Sequence, residues 1–401
     1  MRFIRDRMTR PNRDRRLLFV ISYHHACNDG ALIALVALLP ILVEEMSLSY
    51  TEIGILGLGL LITVVIQLFV GRLTDRIYSR YLLEIGALLM ALSFVMILFV
   101  TNFVELFAAV ISMRVGASFY HPVGITWITK EYAGPYMDTA LGVQSGIGNF
   151  GVIASLATSG FLGEAFGWKT PCIMWVFLNL AAVIIGITAM GDGVSQLAGG
   201  FSTSPTSIRQ TMSKVGCFSL PIAAGGALYG VTTYYGPINL TAAHGWGVGA
   251  ADLVFALWLA VGTVSSYSFG RISTRFGRRR VVTVGYLGSI IGLLALFMTS
   301  EWYIVVPTLV AFGGLLFLTY PALFATVSEA TGDGERGTAF GMVFAFQLGG
   351  GSAVVYICGL IADVYDDPSY AFPVTALFTA VSLVMFILYP GGRDRRPQLL
   401  P

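Results

Sequence analysis

Runs of apolar residues, about 18 to 27 long, alternate with short polar breaks along the whole chain. A helix rises about 1.5 Å per residue, so each run can cross a hydrocarbon core of roughly 30 Å. The pattern predicts twelve helices, at residues 17–43, 53–70, 82–100, 106–128, 140–163, 170–190, 217–241, 249–269, 281–299, 304–327, 339–362 and 371–389. The runs are continuous and lack the period-two alternation of strands that face a lumen, which argues against a closed barrel. The predicted fold class is all-α: a polytopic membrane protein with 12 transmembrane helices.

The polar breaks support the same count by a second route. With the first residues on the cytoplasmic side, the breaks at 1–16, 71–81, 129–139, 191–216, 270–280, 328–338 and 390–401 hold 22 of the 24 Lys and Arg residues. Only Lys169 and Arg114 fall elsewhere. A miscount by one helix would scatter this bias, which sets orientation in membranes. It predicts cytoplasmic N- and C-termini in a cell (plasma) membrane, the inner one where there are two. The basic opening "MRFIRDRMTRPNRDRR" precedes a run too long and too polar at its centre for a cleaved signal, so it reads as a retained first helix.

Composition agrees. Of 401 residues, 56% are hydrophobic and 11% charged, where soluble domains run near a quarter charged. Such a chain needs lipid to cover its surface. The net charge of +2 is an orientation signal and implies no nucleic-acid partner. Cys27, Cys172, Cys217 and Cys358 form no CxxC pair, so no metal or disulfide framework follows from them.

An internal repeat organises the chain. "GRLTDRIYSRY" from Gly71 and "GRISTRFGRRR" from Gly270 stand 199 residues apart. Pro122 in "YHPVG" and Pro321 in "TYPAL" keep that offset, as do Gly142 in "TALG" and Gly341 in "TAFG". Duplication of a six-helix unit predicts bundles at 1–190 and 217–401, joined by a Gly/Ser/Thr-rich cytoplasmic linker at 191–216. Parallel six-helix repeats are the plan of major facilitator transporters. The loop residues Gly71, Leu73, Asp75, Arg76 and Arg80 resemble that superfamily's signature between helices 2 and 3, with Tyr78 in place of the usual second glycine. The second copy keeps Gly270, Arg275, Gly277, Arg278 and Arg279 but has Thr274 where the acid belongs. The resemblance implies the major facilitator fold and a gating role for Gly71, Asp75, Arg76, Gly270 and Arg275. His25, Asp29, "FYHPVG" and "FQLGGG" are similar to the fosmidomycin-resistance-like branch.

Ionisable groups inside the spans mark coupling or pathway sites by default, because an intramembrane charge costs a few kcal/mol at least. The deeply embedded ones are His24, His25 and Asp29 on helix 1 and Arg114 and His121 on helix 4. Counted from the cytoplasmic ends, Asp29 and Arg114 lie at one depth and His25 and His121 at another. The spacings i,i+4 and i,i+7 put each pair on one helix face. The expectation is an Asp29–Arg114 ion pair broken by protonation or substrate, with His25 and His121 as proton relays; the alternative is a pair that only locks two helices. His24 points some 100° from His25 and reads as structural. Asn28, Gln144, Asn149, Tyr234, Tyr235 and Gln347 are candidate cavity contacts, since pockets are apolar with a few placed polar groups. Gly142, Gly146, Gly148 and Gly151 allow close helix approach. "GIGNFG" also resembles the helix-5 signature of nitrate transporters, but helix 2 lacks an embedded arginine.

No enzyme motif is present, and the absence of a nucleotide-binding Gly-rich loop with lysine argues against ATP-driven transport. The histidines lack metal-ligand spacing, so no metal and no cofactor are expected, the proton gradient being the energy source. The sequence thus predicts a monomeric, proton-coupled secondary transporter, an antiporter, working by alternating access in the lipid bilayer. Its substrate would be a small organic anion, zwitterion or drug, with export favoured. Alternatives are an anion uptake permease and, from another class, a transporter-like receptor or assembly factor that moves no solute.

Overall fold

The computed structural model describes residues 11–73, 79–132, 135–189, 208–331 and 336–388. These residues form helices and no strand. In chain order they are α1 (Pro11–Met46), α2 (Tyr50–Leu58, resuming as Leu60–Leu73), α3 (Ser79–Ile97) and α4 (Phe103–Ala117, resuming as Tyr120–Glu131). Next come α5 (Pro135–Phe166), α6 (Lys169–Ala189), a short helix Ile208–Val215, then α7 (Ser219–Ile238), α8 (Val248–Phe276) and α9 (Arg278–Met298). The last are α10 (Trp302–Ala330), α11 (Arg336–Phe344, resuming as Gly351–Tyr365) and α12 (Ala371–Leu388). Among the described residues, eleven helices are long and apolar enough to cross a membrane; α3 has the shorter apolar stretch Tyr81–Ile97.

Each interruption has a local cause. In α4, Pro122 lacks an N–H and its ring crowds the carbonyl four residues back, so the helix breaks at Ser118–Phe119 and restarts at Tyr120. In α11 the two α-segments are joined by a π-turn, Ala345–Gly350, and α7 ends in another, Asn239–Ala243. Such turns insert a residue into the ladder and recur at functional positions. α2 starts from a capping box in which Ser49 accepts from the Glu52 amide while the Glu52 carboxylate accepts from the Ser49 amide.

The chain divides into two compact units, residues 1–41 with 62–201, and 42–61 with 202–401. The second boundary falls within the Gly/Ser/Thr-rich linker, most of which lies outside the described residues. Residues 42–61, the start of α2 included, pack with the second unit. Packing repeats between the units: α3 lies on α4 and α6 in the first, α9 on α10 and α12 in the second. α1 and α5 cross closely at Ala26, where a Cβ on Gly151 would fall 2.6 Å from its Cα. The crossing of α7 with α11 has the same character, Gly351 lying against Gly226. A buried apolar cluster in the first unit joins Val20 and Ile21 of α1, Leu82 and Leu83 of α3, and Val123 and Trp127 of α4.

Candidate functional site in the first unit

α1 carries His25 and Asp29 one turn apart, and the break in α4 sets Tyr120 and His121 opposite them. His25 is 7% exposed. Its Nδ1 lies 2.9 Å from the backbone carbonyl of Gln144 on α5, and its Nε2 lies 3.0 Å from Asp29 Oδ2. The imidazole stacks on Tyr120 with centroids 4.5 Å apart. Tyr120 in turn donates its hydroxyl to Gln144 Oε1 at 2.7 Å. His121 approaches the other Asp29 oxygen at 3.4 Å, and Asn28 Nδ2 donates to that same oxygen at 2.8 Å. The ring is thus held from three sides, and Asp29 joins two imidazoles.

The hydrogen bonds constrain protonation. A carbonyl only accepts, so His25 Nδ1 carries a proton. A neutral His25 would then point the Nε2 lone pair at a carboxylate oxygen, two acceptors at 3.0 Å. The contact closes only when one proton lies between them, as imidazolium with carboxylate or imidazole with carboxylic acid. The geometry is therefore a one-proton site, with Asp29 and His121 partly open at 24% and 40% side-chain exposure.

This corrects the expected Asp29–Arg114 pair. Among the described residues, Asp29 meets His25, His121 and Asn28, and Arg114 is not among its partners. The physical reason is side-chain direction. Helical side chains lean toward their own N-terminus, and α1 and α4 run oppositely in the twelve-span topology. Asp29 therefore leans back toward the level of His25, His121 leans to meet it, and Arg114 leans away. Arg114 is buried at 4% exposure, and its carbonyl accepts from Thr63 Oγ1.

The other candidates separate clearly. Gln144 and Asn28 belong to the site just described. Asn149 is half-buried on α5. Tyr234 is buried near Gly57 of α2. Tyr235, expected to face a cavity, is instead fully buried, and its hydroxyl donates to the carbonyls of Tyr50 and Val355. Those acceptors are close because Gly54 of α2 and Gly359 of α11 let the two backbones approach. Gln347 lies in the π-turn of α11, its backbone against Gly226. Gly71 lies beside Pro122, Gly270 faces open space, and Arg275 is exposed with its guanidinium 5.4 Å over the Phe276 ring. Asp75 and Arg76 lie outside the described residues.

Two participants escaped the sequence reading. Tyr120 looked like an ordinary aromatic until the break in α4 turned it onto His25. Glu84, 8% exposed on α3, faces His24 at 3.9 Å. A lone acid in the apolar run "YLLEIGALL" was the available signal.

The chain is 24% identical over 369 residues to the uncharacterized MFS-type transporter YfnC of Bacillus subtilis, covering 86% of each. It is 23% identical over 396 residues to the fosmidomycin resistance protein of Escherichia coli, covering 94% of each. It is 23% identical over 344 residues to the quinolone resistance protein NorA of Staphylococcus aureus, covering 84% of this chain and 87% of that one. Among solved structures, the nucleoside transporter NupG superposes with a TM-score of 0.81 at 15% identity, over 94% of this chain and 98% of that one. A bacterial homolog of the lysosomal transporter Spinster, inward-facing and unoccupied, gives 0.77 at 15% identity, over 94% and 97%. The Major Facilitator Superfamily model matches residues 25–238 and 217–400. Two six-helix repeats, matched by that model across almost their whole length, place the chain in the major facilitator superfamily of membrane transporters.

Proposed function

We propose that the chain is a proton-driven antiporter that exports a small organic anion, zwitterion or drug by alternating access. The observation that carries this is the one-proton contact between His25 and Asp29, fixed by the Gln144 carbonyl. Taking up the proton closes the contact. Losing it sets a carboxylate against a lone pair and pushes Asp29 toward His121, which is the two-state behaviour a coupling site needs. Buried Arg114 in the same unit supplies a cation for an anionic group. The resistance relatives support export of a drug-like solute. Loop charges support a monomer in the cytoplasmic membrane with both termini inside.

The test uses purified protein in liposomes with an internal pH dye, with fosmidomycin and a quinolone as probes. Wild-type protein should dissipate an imposed pH gradient when a transported probe is added. Asp29→Asn should lower that proton flux at least tenfold while probe counterflow, which moves no net proton, stays within a few-fold. Undiminished proton flux in Asp29→Asn would end the proposal. His121→Gln, which removes the more exposed partner, should slow coupled flux severalfold without abolishing it, as rates at several pH values would show.

A further inference from the structure

Asp29 faces two imidazoles, and their number matters. With Nδ1 protonated against the Gln144 carbonyl, a neutral His25 turns the lone pair of Nε2 toward Asp29 Oδ2 at 3.0 Å. His121 brings its own Nε2 to 3.4 Å from Oδ1, the other carboxylate oxygen. A proton bridges two atoms, so one proton between His25 and Asp29 leaves His121 outside. The His121 distance is also longer than a normal N–H···O bond of about 2.7–3.2 Å. Oδ1 already has a closer donor in Asn28 Nδ2, at 2.8 Å.

A metal ion uses all three groups at once. With bonds of about 2.0–2.1 Å, two ligands of a tetrahedral ion stand roughly 3.3 Å apart. The two carboxylate–imidazole distances, 3.0 and 3.4 Å, fall on either side of that value. Two imidazoles on one such ion have ring centres about 5 Å apart. The centroids of His25 and His121 are 5.3 Å apart, with the ring planes at 88°. One ligand atom from each of the three residues lies within 4.8 Å of the other two. Closing the set around an ion therefore takes at most about 1.5 Å of movement. His121, its side chain 40% exposed, is the partner placed to make it.

The groups behind the three residues suit ligands. A metal-bound histidine gives its other N–H to a carbonyl, a carboxylate or water, which fixes tautomer and ring direction. His25 does this with the Gln144 carbonyl, and Tyr120 stacked at 4.5 Å keeps the ring from turning. Asn28 orients the Asp29 carboxylate in the same way. Two imidazoles with one carboxylate suit Zn²⁺, Co²⁺ or Ni²⁺, whereas Mg²⁺ and Ca²⁺ take oxygen ligands. Three protein ligands leave a fourth position for water, on the side where Asp29 and His121 are partly exposed. Spacing along the chain gives no sign of this set, because α1 supplies two ligands and the restart of α4 the third.

We propose that His25, Asp29 and His121 bind one divalent transition-metal ion of the Zn²⁺, Co²⁺ and Ni²⁺ class, in the place of the shared proton. The full chain, purified without a histidine tag and stripped with a chelator, is titrated with Co²⁺. Tetrahedral Co²⁺ absorbs visible light strongly, so binding is read directly and without transport. One Co²⁺ per chain is expected, displaced by Zn²⁺ and not by Mg²⁺. His121→Gln and Asp29→Asn should each weaken binding at least about tenfold. His244→Gln, which changes the one histidine of the second unit, should leave it unchanged. A silent spectrum with the wild-type chain overturns the proposal, and so does an affinity that neither His121→Gln nor Asp29→Asn changes. A second readout, slowing of proton flux by Zn²⁺ on both sides of the liposome membrane, rests on the proton-coupled reading above and should be at least tenfold. Co²⁺ bound at these residues with flux undiminished by Zn²⁺ would count against that reading and leave the metal site standing.

Discussion

Replacing Gly148 with alanine is expected to abolish pH-gradient-driven transport while leaving the protein folded in the membrane. A Cβ at Gly148 would fall 2.6 Å from Cγ of His25, and closer still to its Nδ1 and Cε1. An aromatic ring normally yields to such a contact by turning, but this one has nowhere to turn. Tyr120 stacks on it, the Gln144 carbonyl binds Nδ1, and Asp29 meets Nε2. Relief therefore comes from moving the ring by about 1 Å, or from parting α1 and α5, at a cost of about 1–3 kcal/mol. Either displacement carries Nδ1 beyond hydrogen-bond range and frees the tautomer that makes His25–Asp29 a one-proton contact. Coupled flux in liposomes should fall at least tenfold, with counterflow much less affected. Gly142→Ala is the control on the same helix: no atom stands within 4 Å of its Cβ position, so coupling should persist. A helical glycine replaced without strain even gains about 0.4–1 kcal/mol. Normal coupling in Gly148→Ala would remove the argument for a pinned ring.

That glycine shows what the sequence made legible and what it did not. Helix number followed from apolar run length and loop charge, both of which the bilayer enforces directly. The repeat followed from landmarks at one offset, and the packing of α3 with α4 and α6 recurs in α9, α10 and α12. Asp29, His25 and His121 were recognisable because charge inside a membrane span is rare. Their pairing was not recognisable. Depth counted along Cα positions matched Asp29 with Arg114, whereas the lean of the side chains decides contact over distances near one helical turn. The glycines of α5 read as surfaces of close helix approach. Gly148 and Gly151 have a static use as well, making room for His25 and for the backbone of Ala26. Glu84 stayed hidden because an acid near the start of a span looks interfacial until its burial is seen.

The start of α2 was the least legible part, and it supplies the second large effect. Asp363→Ala is expected to loosen Tyr50–Leu58 from the second unit and to lower thermal stability. Asp363 of α11 accepts the Tyr50 amide on one carboxylate oxygen at 2.7 Å and the Thr51 amide on the other at 2.8 Å. These are first-turn amides of α2, which have no partner within their own helix, and an anion there also meets the positive end of the helix dipole. The carbonyl of Tyr50 accepts from Tyr235 at 3.0 Å. Glycines bring the backbones together: a Cβ on Gly54 would lie 2.9 Å from Cα of Tyr356, and one on Gly359 3.0 Å from the carbonyl carbon of Tyr50. Hydrogen bonds to a charged group contribute about 1.5–3 kcal/mol each, so losing both should release about 3 kcal/mol or more. At 1.4 kcal/mol per tenfold, amide exchange over residues 50–58 should accelerate about a hundredfold or more. Asp363→Asn keeps a single acceptor oxygen and should give a smaller acceleration, at Tyr50 or Thr51 but not both. Tyr235→Phe removes one neutral bond, worth about 1 kcal/mol. Gly359→Val acts differently, forcing the Tyr50 backbone away and displacing the Tyr235 hydroxyl, and should match or exceed Asp363→Ala. Exchange at residues 50–52 that is unchanged in Asp363→Ala would mean that glycine packing alone holds this helix, since only the carboxylate reaches those two amides in the structure.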